Sequence, residues 1–121
     1  YQYRTRDSIN AFRWTQRGGA QVSYSGGLIE NITSLGGANQ LGYSPGWMNS
    51  IREARAWTTI SGKPRLDVVL FPFHHALMPL VDENTMRKQI QAYKRIYADA
   101  WGSSVPMSRG FFPSEMAFST R

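Results

Sequence analysis

The 121-residue sequence contains no cysteine, few acidic residues and no long apolar run. Without cysteine, disulfides, thiolate metal sites and cysteine nucleophiles are excluded. The longest apolar candidate, LDVVLFPFHHALMPLV, is interrupted by Asp67, two prolines and two histidines. It therefore falls short of the roughly 18 to 20 apolar residues of a membrane helix. Because 41% of the residues are hydrophobic and 13% aromatic, we expect a soluble globular protein with no membrane partner.

The charge balance favours anionic partners only weakly. Fourteen Lys and Arg residues outnumber eight Asp and Glu residues, which gives a net charge of +6. The arginines are spread from Arg4 to Arg121, and the densest basic group lies on a predicted helix with a solvated face. No motif combines aromatic and basic residues as nucleic-acid readers do, so nucleic acid is not the expected partner. We also predict no metal and no cofactor.

The first half of the chain predicts an extended segment followed by a strand and a helix. Residues 1–19 hold few apolar side chains and end in Gly18-Gly19, so we interpret them as an extended or loop segment. AQVSYS (20–25) alternates apolar and polar residues and predicts a short strand. GGLIENITSLGG (26–37) has helical spacing, with Gly36 at a common position for a left-handed helix end.

The next segments predict a second helix and a buried strand. In YSPGWMNSIREARAWTTI (43–60), Ser44 is the expected cap and Pro45 the first helical residue. RLDVVLFPF (65–73) is almost continuously apolar, which is typical of a strand buried on both faces of a parallel sheet. We expect this strand to span eight or nine residues and to continue towards His74 and His75.

The last third predicts the strongest helix of the chain and one more strand. DENTMRKQIQAYKRIYADAW (82–101) places acids first and apolar residues at helical intervals, and Gly102 is expected to end the helix. GFF (110–112) is then the next candidate strand. Alternating strands and helices build parallel α/β sheets. A complete barrel needs about 200 residues or more, so the fold class is α/β, either part of a barrel or a small open parallel sheet.

Two side chains follow the predicted strands at the edge where ligands gather in parallel sheets. His75 ends the buried strand, and Glu115 follows the next one among apolar neighbours, a setting suited to acid-base work or to binding a sugar hydroxyl. The alternatives are a histidine satisfied by a backbone hydrogen bond and an exposed glutamate in the first turn of a terminal helix.

Three segments, taken in order, resemble a known enzyme family. YSGGLIENI (24–32), FPFHHALMPLV (71–81) and GFFPSEMAFS (110–119) are similar to the N-terminal part of the catalytic barrel of glycoside hydrolase family 57, whose members act mainly on α-glucans. His75 matches the family's His-x-x-x-Pro-Leu pattern. Glu115 matches its Gly-x-Trp-x-x-Glu pattern, in which Phe112 replaces the tryptophan.

The resemblance implies a distorted barrel of seven strand-helix units and a sugar-binding surface. It implies that His75 hydrogen-bonds a sugar, that Glu115 orients the substrate or tunes the catalytic pair, and that Phe112 forms part of an apolar wall. The family's His-Gln-Pro motif is missing here. Its glutamate nucleophile and aspartate acid/base belong to strands beyond Arg121, so no catalytic residue is expected among these 121.

Two functions follow as alternatives. In the first, residues 1–121 are a single α/β unit that is a section of a glycoside hydrolase performing retaining hydrolysis or glucan transfer, inactive alone. In the second, the chain is a noncatalytic carbohydrate-binding or assembly module. In both, the partner is an oligosaccharide or polysaccharide. Because the end strands of an incomplete barrel have unpaired edges, we also expect an oligomer or the remainder of the barrel as a partner.

Overall fold

The computed structural model describes residues 1–119 and has a mixed α/β architecture. Two short turns of 3-10 helix, at Met78–Leu80 and Ser114–Met116, accompany the regular elements. In chain order these elements are α1 (Arg4–Ala11), β1 (Ala20–Ser23), α2 (Gly26–Gly37), α3 (Asn49–Ala56), β2 (Leu66–Val69) and α4 (Glu83–Trp101).

The sheet is small, open and parallel. β1 pairs with β2 in parallel, with Ala20 opposite Leu66 and Ser23 opposite Val69, and α2 and α3 form the crossover between them. A third segment joins β2 through a single parallel bridge between Leu70 and Phe111. The described residues therefore form an open sheet and not a closed barrel, which confirms the small open parallel sheet that the sequence left as an alternative.

The core lies between the sheet and the helices, and α4 provides much of it. Tyr93 and Tyr97 are 2% and 1% exposed. Their hydroxyls donate hydrogen bonds to the backbone carbonyls of Tyr24 (2.8 Å) and Val68 (3.0 Å), so both strands are fixed to this helix. α2 packs on α4, α3 packs on β2, and α1 packs on α3.

The prediction for α4 is confirmed at both ends. The Asp82 carboxylate accepts a hydrogen bond from the Thr85 amide at 3.0 Å and caps the first turn. A hydrogen bond from the Thr85 hydroxyl, together with this amide bond, lowers the pKa of Asp82. Gly102 ends the helix with φ of 70°, a left-handed conformation that glycine adopts without a steric penalty.

The extended segment predicted for residues 1–19 is wrong in part, because Arg4–Ala11 form a helix. Ile9 is the one apolar side chain that α1 buries, so the sequence carries no helical periodicity that could reveal it. Tertiary contacts stabilise it instead: Ile9 joins the core, and the Gln2 side chain accepts a hydrogen bond from the Ser44 amide at 3.0 Å.

The predicted start of the second helix is also wrong, since α3 begins at Asn49 and not after Ser44. Ser44 instead bonds Gln2, and its hydroxyl accepts a hydrogen bond from the Gln2 side-chain amide at 3.0 Å. Its carbonyl accepts from the Trp47 amide and closes a turn. The same carbonyl approaches Gly36 so closely that a Cβ at Gly36 would lie 2.5 Å from it. Gly36 is thus needed for packing, and the left-handed residue after α2 is Asn39, with φ of 52°.

The buried strand is shorter than predicted. β2 covers Leu66–Val69, four residues instead of eight or nine, and Pro72 and its neighbours form a turn. His74 and His75 therefore lie outside the strand. His75 has φ of 59°, which is incompatible with a continuing strand. The predicted strand at 110–112 is reduced to the one bridge at Phe111.

Candidate functional site

The candidate site lies at the carboxyl edge of the sheet, where the chain turns after β2. Leu70 donates a backbone hydrogen bond to Gly110 and accepts one from Phe112, each at 2.9 Å. These two bonds hold residues 110–112 beside the end of β2. The amide of His75 donates to the carbonyl of Pro72 at 3.1 Å, so the histidine follows a tight turn directly above the strand.

Two residues predicted from separate motifs face each other at this edge. The Nε2 atom of His75 lies 3.6 Å from Oε1 of Glu115. This is the distance of an ion pair when the imidazole is protonated, and it exceeds that of a direct hydrogen bond. The turn at Ser114–Met116 brings the carboxylate back over the strand end.

A phenylalanine that the sequence placed in the buried strand contacts two of the three predicted residues. The Phe71 ring lies 4.9 Å from the His75 ring and 6.1 Å from the Phe112 ring, with which it is stacked at an interplanar angle of 17°. His75 and Phe112 thus lie on either side of Phe71, and Glu115 approaches this group through His75. The signal was present, since Phe71 stands in the same FPFHH segment as His75, but its apolarity was explained as strand core.

The site is an open surface and not a closed pocket. The side chains of His75 and Glu115 are 49% and 75% exposed, and Phe112 is 46% exposed. The apolar surroundings expected for Glu115 are therefore wrong, because its carboxylate extends into solvent. An imidazole, a carboxylate and the exposed Phe112 ring side by side can hydrogen-bond and stack on a polar ligand that is itself well hydrated.

Three residues at this edge adopt left-handed backbone conformations that are unusual for side chains with a Cβ. The φ angles are 59° for His75, 51° for Glu115 and 53° for Met116. Each such residue costs about 1 to 2 kcal/mol relative to the right-handed region. Strained residues of this kind concentrate at binding and catalytic sites, where the surrounding structure holds them in place.

His74, the neighbour of His75, has different surroundings. The His74 ring contacts Phe73 edge-on, with 4.6 Å between centroids, and its amide donates to the Gln89 side chain of α4 at 2.8 Å. Phe73 in turn packs against Gly26, where a Cβ would lie 2.2 Å from the ring. Within residues 1–119, no three His, Asp or Glu side chains are grouped to hold a metal ion, and no helix has the length and apolarity to span a membrane.

Comparison with known proteins finds similarity to a carbohydrate-active enzyme. Over 108 residues the chain is 32% identical to an alpha-amylase of Niallia circulans. The match covers 83% of this chain but 8% of the relative, so the chain spans a small part of that protein's length. No family model matches the chain, and no solved structure is significantly similar to it. The chain is therefore similar to one segment of an alpha-amylase.

Proposed function

We propose that this chain is a section of a glycoside hydrolase of family 57 type and that it binds an α-glucan at the carboxyl edge of its sheet. The observation that carries the proposal is the 3.6 Å approach of His75 to Glu115, with Phe112 beside them. These residues come from two motifs that are 40 positions apart in the sequence, and both motifs resemble the family's sugar-binding surface. The similarity to an alpha-amylase supports the same class of enzyme.

Each side chain has a role that its chemistry suits. The exposed ring of Phe112, which stacks on the buried Phe71, offers an apolar surface to the C–H face of a sugar ring. The imidazole of His75 can donate to or accept from a sugar hydroxyl, and the carboxylate of Glu115 accepts. Because the backbone holds both residues in left-handed turns, their positions are set before the sugar arrives, which lowers the entropic cost of binding.

The proposal assigns substrate positioning to this chain and no catalytic residue. Retaining glycosidases need two carboxyl groups about 5 to 5.5 Å apart. Within residues 1–119, the one short ionic contact of Glu115 is with His75. At the start of α4, Asp82 accepts a hydrogen bond from Thr85, and Glu83 forms a salt bridge with Arg87. Hydrolysis or glucan transfer then belongs to the complete enzyme. The exposure of the site fits equally a noncatalytic carbohydrate-binding module, which is the second candidate.

Titration of the chain with maltoheptaose, followed by amide chemical shifts, tests sugar binding. We expect the shifts to concentrate at residues 71–75 and 110–116. His75→Ala and Glu115→Gln should each weaken binding about tenfold, because each removes a hydrogen bond that involves a group able to carry charge. The matched controls are His74→Ala and Glu30→Gln, which alter an adjacent histidine and an exposed glutamate of α2 outside the site.

The proposal is contradicted if the controls weaken binding as much as the site variants, or if the shifts map to another surface. Glu115→Gln in the complete protein separates the two candidates. An α-glucan hydrolase should lose kcat/KM in this variant, whereas a binding module should show no cleavage with either residue at position 115.

A further inference from the structure

A second recess lies at the opposite edge of the sheet, at the amino ends of β1 and β2. It is an open groove of about 1190 Å³, formed by the start of β1, the turn at residues 58–64 and the loop at residues 104–109. None of its lining residues belongs to the sugar site proposed above. We call this recess the basic groove, because of the side chains described next.

The lining of the basic groove is strongly cationic. Arg17, Lys63 and Arg109 are exposed at its rim, and Arg55 contributes to its wall. Asp67 is the one acidic residue among the described residues that line it. Its carboxylate already accepts hydrogen bonds from the Ser108 hydroxyl at 2.9 Å and the Gln21 amide at 3.4 Å. Four of the cations that are spread along the sequence therefore line this groove, together with one acid.

Arg55 lacks an acidic partner although it is buried. The residue is 2% exposed, and its guanidinium donates to neutral oxygens alone within the described residues. These oxygens are the carbonyls of Trp101, Val105 and Pro106 and the hydroxyl of Tyr97, at 3.1 to 3.3 Å. A buried cation without a counter-charge is unfavourable, and an anion in the adjacent groove would compensate for it.

A second buried arginine beside the groove has the same kind of surroundings. Arg65 is 7% exposed and donates to the carbonyls of Thr58 and Gly18, at 3.0 and 2.8 Å. Thr58 lines the groove directly. Two buried guanidinium groups near one recess, both bonded to neutral oxygens, point to a missing negative charge at this edge.

We propose that the basic groove binds a phosphate group, carried by inorganic phosphate or by a phosphate ester of a small molecule. Arginine and lysine are the side chains that recognise phosphate through charge-assisted hydrogen bonds. The hydroxyls of Thr59 and Ser61 in the same lining can donate as well. No aromatic ring is among the described lining residues, so the stacking platforms that bind single-stranded nucleic acid are missing.

Amide chemical-shift titrations with inorganic phosphate, glucose 6-phosphate and glucose test this proposal at constant chloride concentration. We expect phosphate-bearing probes to shift residues 17–21, 58–64 and 104–109, and glucose to leave them unchanged. Tighter binding of the ester than of inorganic phosphate identifies an ester as the ligand, and equal binding identifies the free ion. The triple variant Arg17→Gln, Lys63→Gln, Arg109→Gln should weaken phosphate binding at least about tenfold.

The control variant removes the same charge from another surface. Lys88→Gln, Lys94→Gln, Arg95→Gln changes three exposed residues of α4 and should alter phosphate affinity less than about twofold. An equal loss in both triple variants would show a non-specific charge effect and overturn the proposal. So would tighter binding of an oligothymidylate than of either phosphate probe. Glu115→Gln should leave phosphate binding intact. A failure of the phosphate proposal is therefore distinguishable from a failure of the proposed sugar site.

Discussion

At the scale of single residues, two adjacent glycines at the start of α2 have very different surroundings. A Cβ at Gly26 would lie 2.2 Å from the Phe73 ring, whereas nothing lies within 4 Å of a Cβ at Gly27. The amide of Gly27 also donates to the Phe73 carbonyl at 3.2 Å. These contacts hold Phe73, two residues before His75, against the start of α2.

We predict opposite effects for alanine at these two positions. Gly26→Ala should lower the free energy of unfolding by about 1 to 3 kcal/mol, because Phe73 is buried and has to move. Gly27→Ala should raise it by about 0.5 to 1 kcal/mol, since alanine restricts the unfolded chain more than glycine. Urea denaturation of the two variants measures both values. Equal effects of the two substitutions would contradict the packing described for Gly26.

The side chains of His75 and Glu115 are exposed, but their backbone positions are restricted. His75 and Glu115 are open to solvent, so their carboxylate and imidazole remain hydrated until a ligand arrives. The left-handed backbone of both residues and the contact of His75 with Phe71 restrict these positions. Under the proposed function, this restriction would favour ligands with a fixed spacing of hydroxyl groups.

At the scale of elements, α4 holds the sheet through two buried tyrosines. The hydroxyl of Tyr93 donates to the carbonyl of Tyr24, which directly follows β1, and the hydroxyl of Tyr97 donates to the carbonyl of Val68 in β2. Burial raises the pKa of Tyr93 well above its ordinary value, and that of Tyr97 in the same direction. Both side chains therefore stay neutral in the folded protein at pH values where they ionise in the unfolded chain.

This difference predicts a loss of stability in alkaline solution. The folded pKa of Tyr93 is raised, so its contribution is complete below the unfolded pKa of about 10 and is lost as the pH rises from there towards the folded value. Between these values each such tyrosine lowers the free energy of unfolding by about 1.4 kcal/mol per pH unit. Tyr93→Phe should reduce the measured slope by about that amount.

Guanidinium denaturation between pH 9.5 and pH 11.5, a range set by the tyrosine pKa of about 10, measures the slope. Tyr43→Phe is the control, because this tyrosine is only partly buried in the described structure. An unchanged slope in Tyr93→Phe would show that Tyr93 ionises at the same pH in the folded and unfolded chains.

Arg55 plays a comparable part for the loop after α4. Its guanidinium, on α3, contacts the carbonyls of Trp101, Val105 and Pro106 and thereby fixes the route of the chain from α4 to residue 106. This route leads to the bridge at Phe111 and so to Glu115. Arg55 also lines the basic groove. The same residue therefore contacts the groove and the loop that leads to the candidate site at the other edge of the sheet.

At the scale of the whole molecule, the open sheet leaves backbone edges without partners. Within residues 1–119, β1 pairs on one side with β2, and residues 110–112 pair on one side through the bridge to Leu70. Beyond this second edge, Met116 and Phe118 are 78% and 79% exposed. Unpaired edges flanked by apolar side chains are surfaces on which another strand can add.

We therefore predict that the isolated chain self-associates. Sedimentation velocity at increasing concentration should show species above the 13.7 kDa of one chain, because exposed edges pair in the absence of a covering segment. The double variant Met116→Gln, Phe118→Gln should shift the equilibrium towards the monomer. Leu41→Gln is the matched control, since Leu41 is 83% exposed but lies in the loop beyond the end of α2.

A stable monomer at all concentrations would contradict this prediction and favour a complete small domain over a section of a barrel. The similarity to 8% of an alpha-amylase's length supports the proposal that other parts of a longer chain cover these edges. The proposed sugar site and the basic groove lie at opposite ends of the sheet, so each can be tested whether or not the edges are covered.

The sequence by itself determined the elements whose signals are local. The alternation of 20–25, the spacing of 26–37 and the capped helix ended by Gly102 each follow from neighbouring residues, and each is found in the structure. The order of these elements also indicated a parallel α/β sheet, because such sheets need helical crossovers. The resemblance to the family's motifs further predicted His75, Phe112 and Glu115 as one group.

Only the tertiary structure decided the features that depend on distant contacts. α1 has no periodic pattern and forms because Ile9 and Gln2 find partners on other elements. Ser44, predicted as a helix cap, instead bonds the side chain of Gln2, 42 positions away. The cations of the basic groove converge from segments far apart in the chain. Local sequence cannot encode such partners, since the energy of each contact exists only once the fold brings its two sides together.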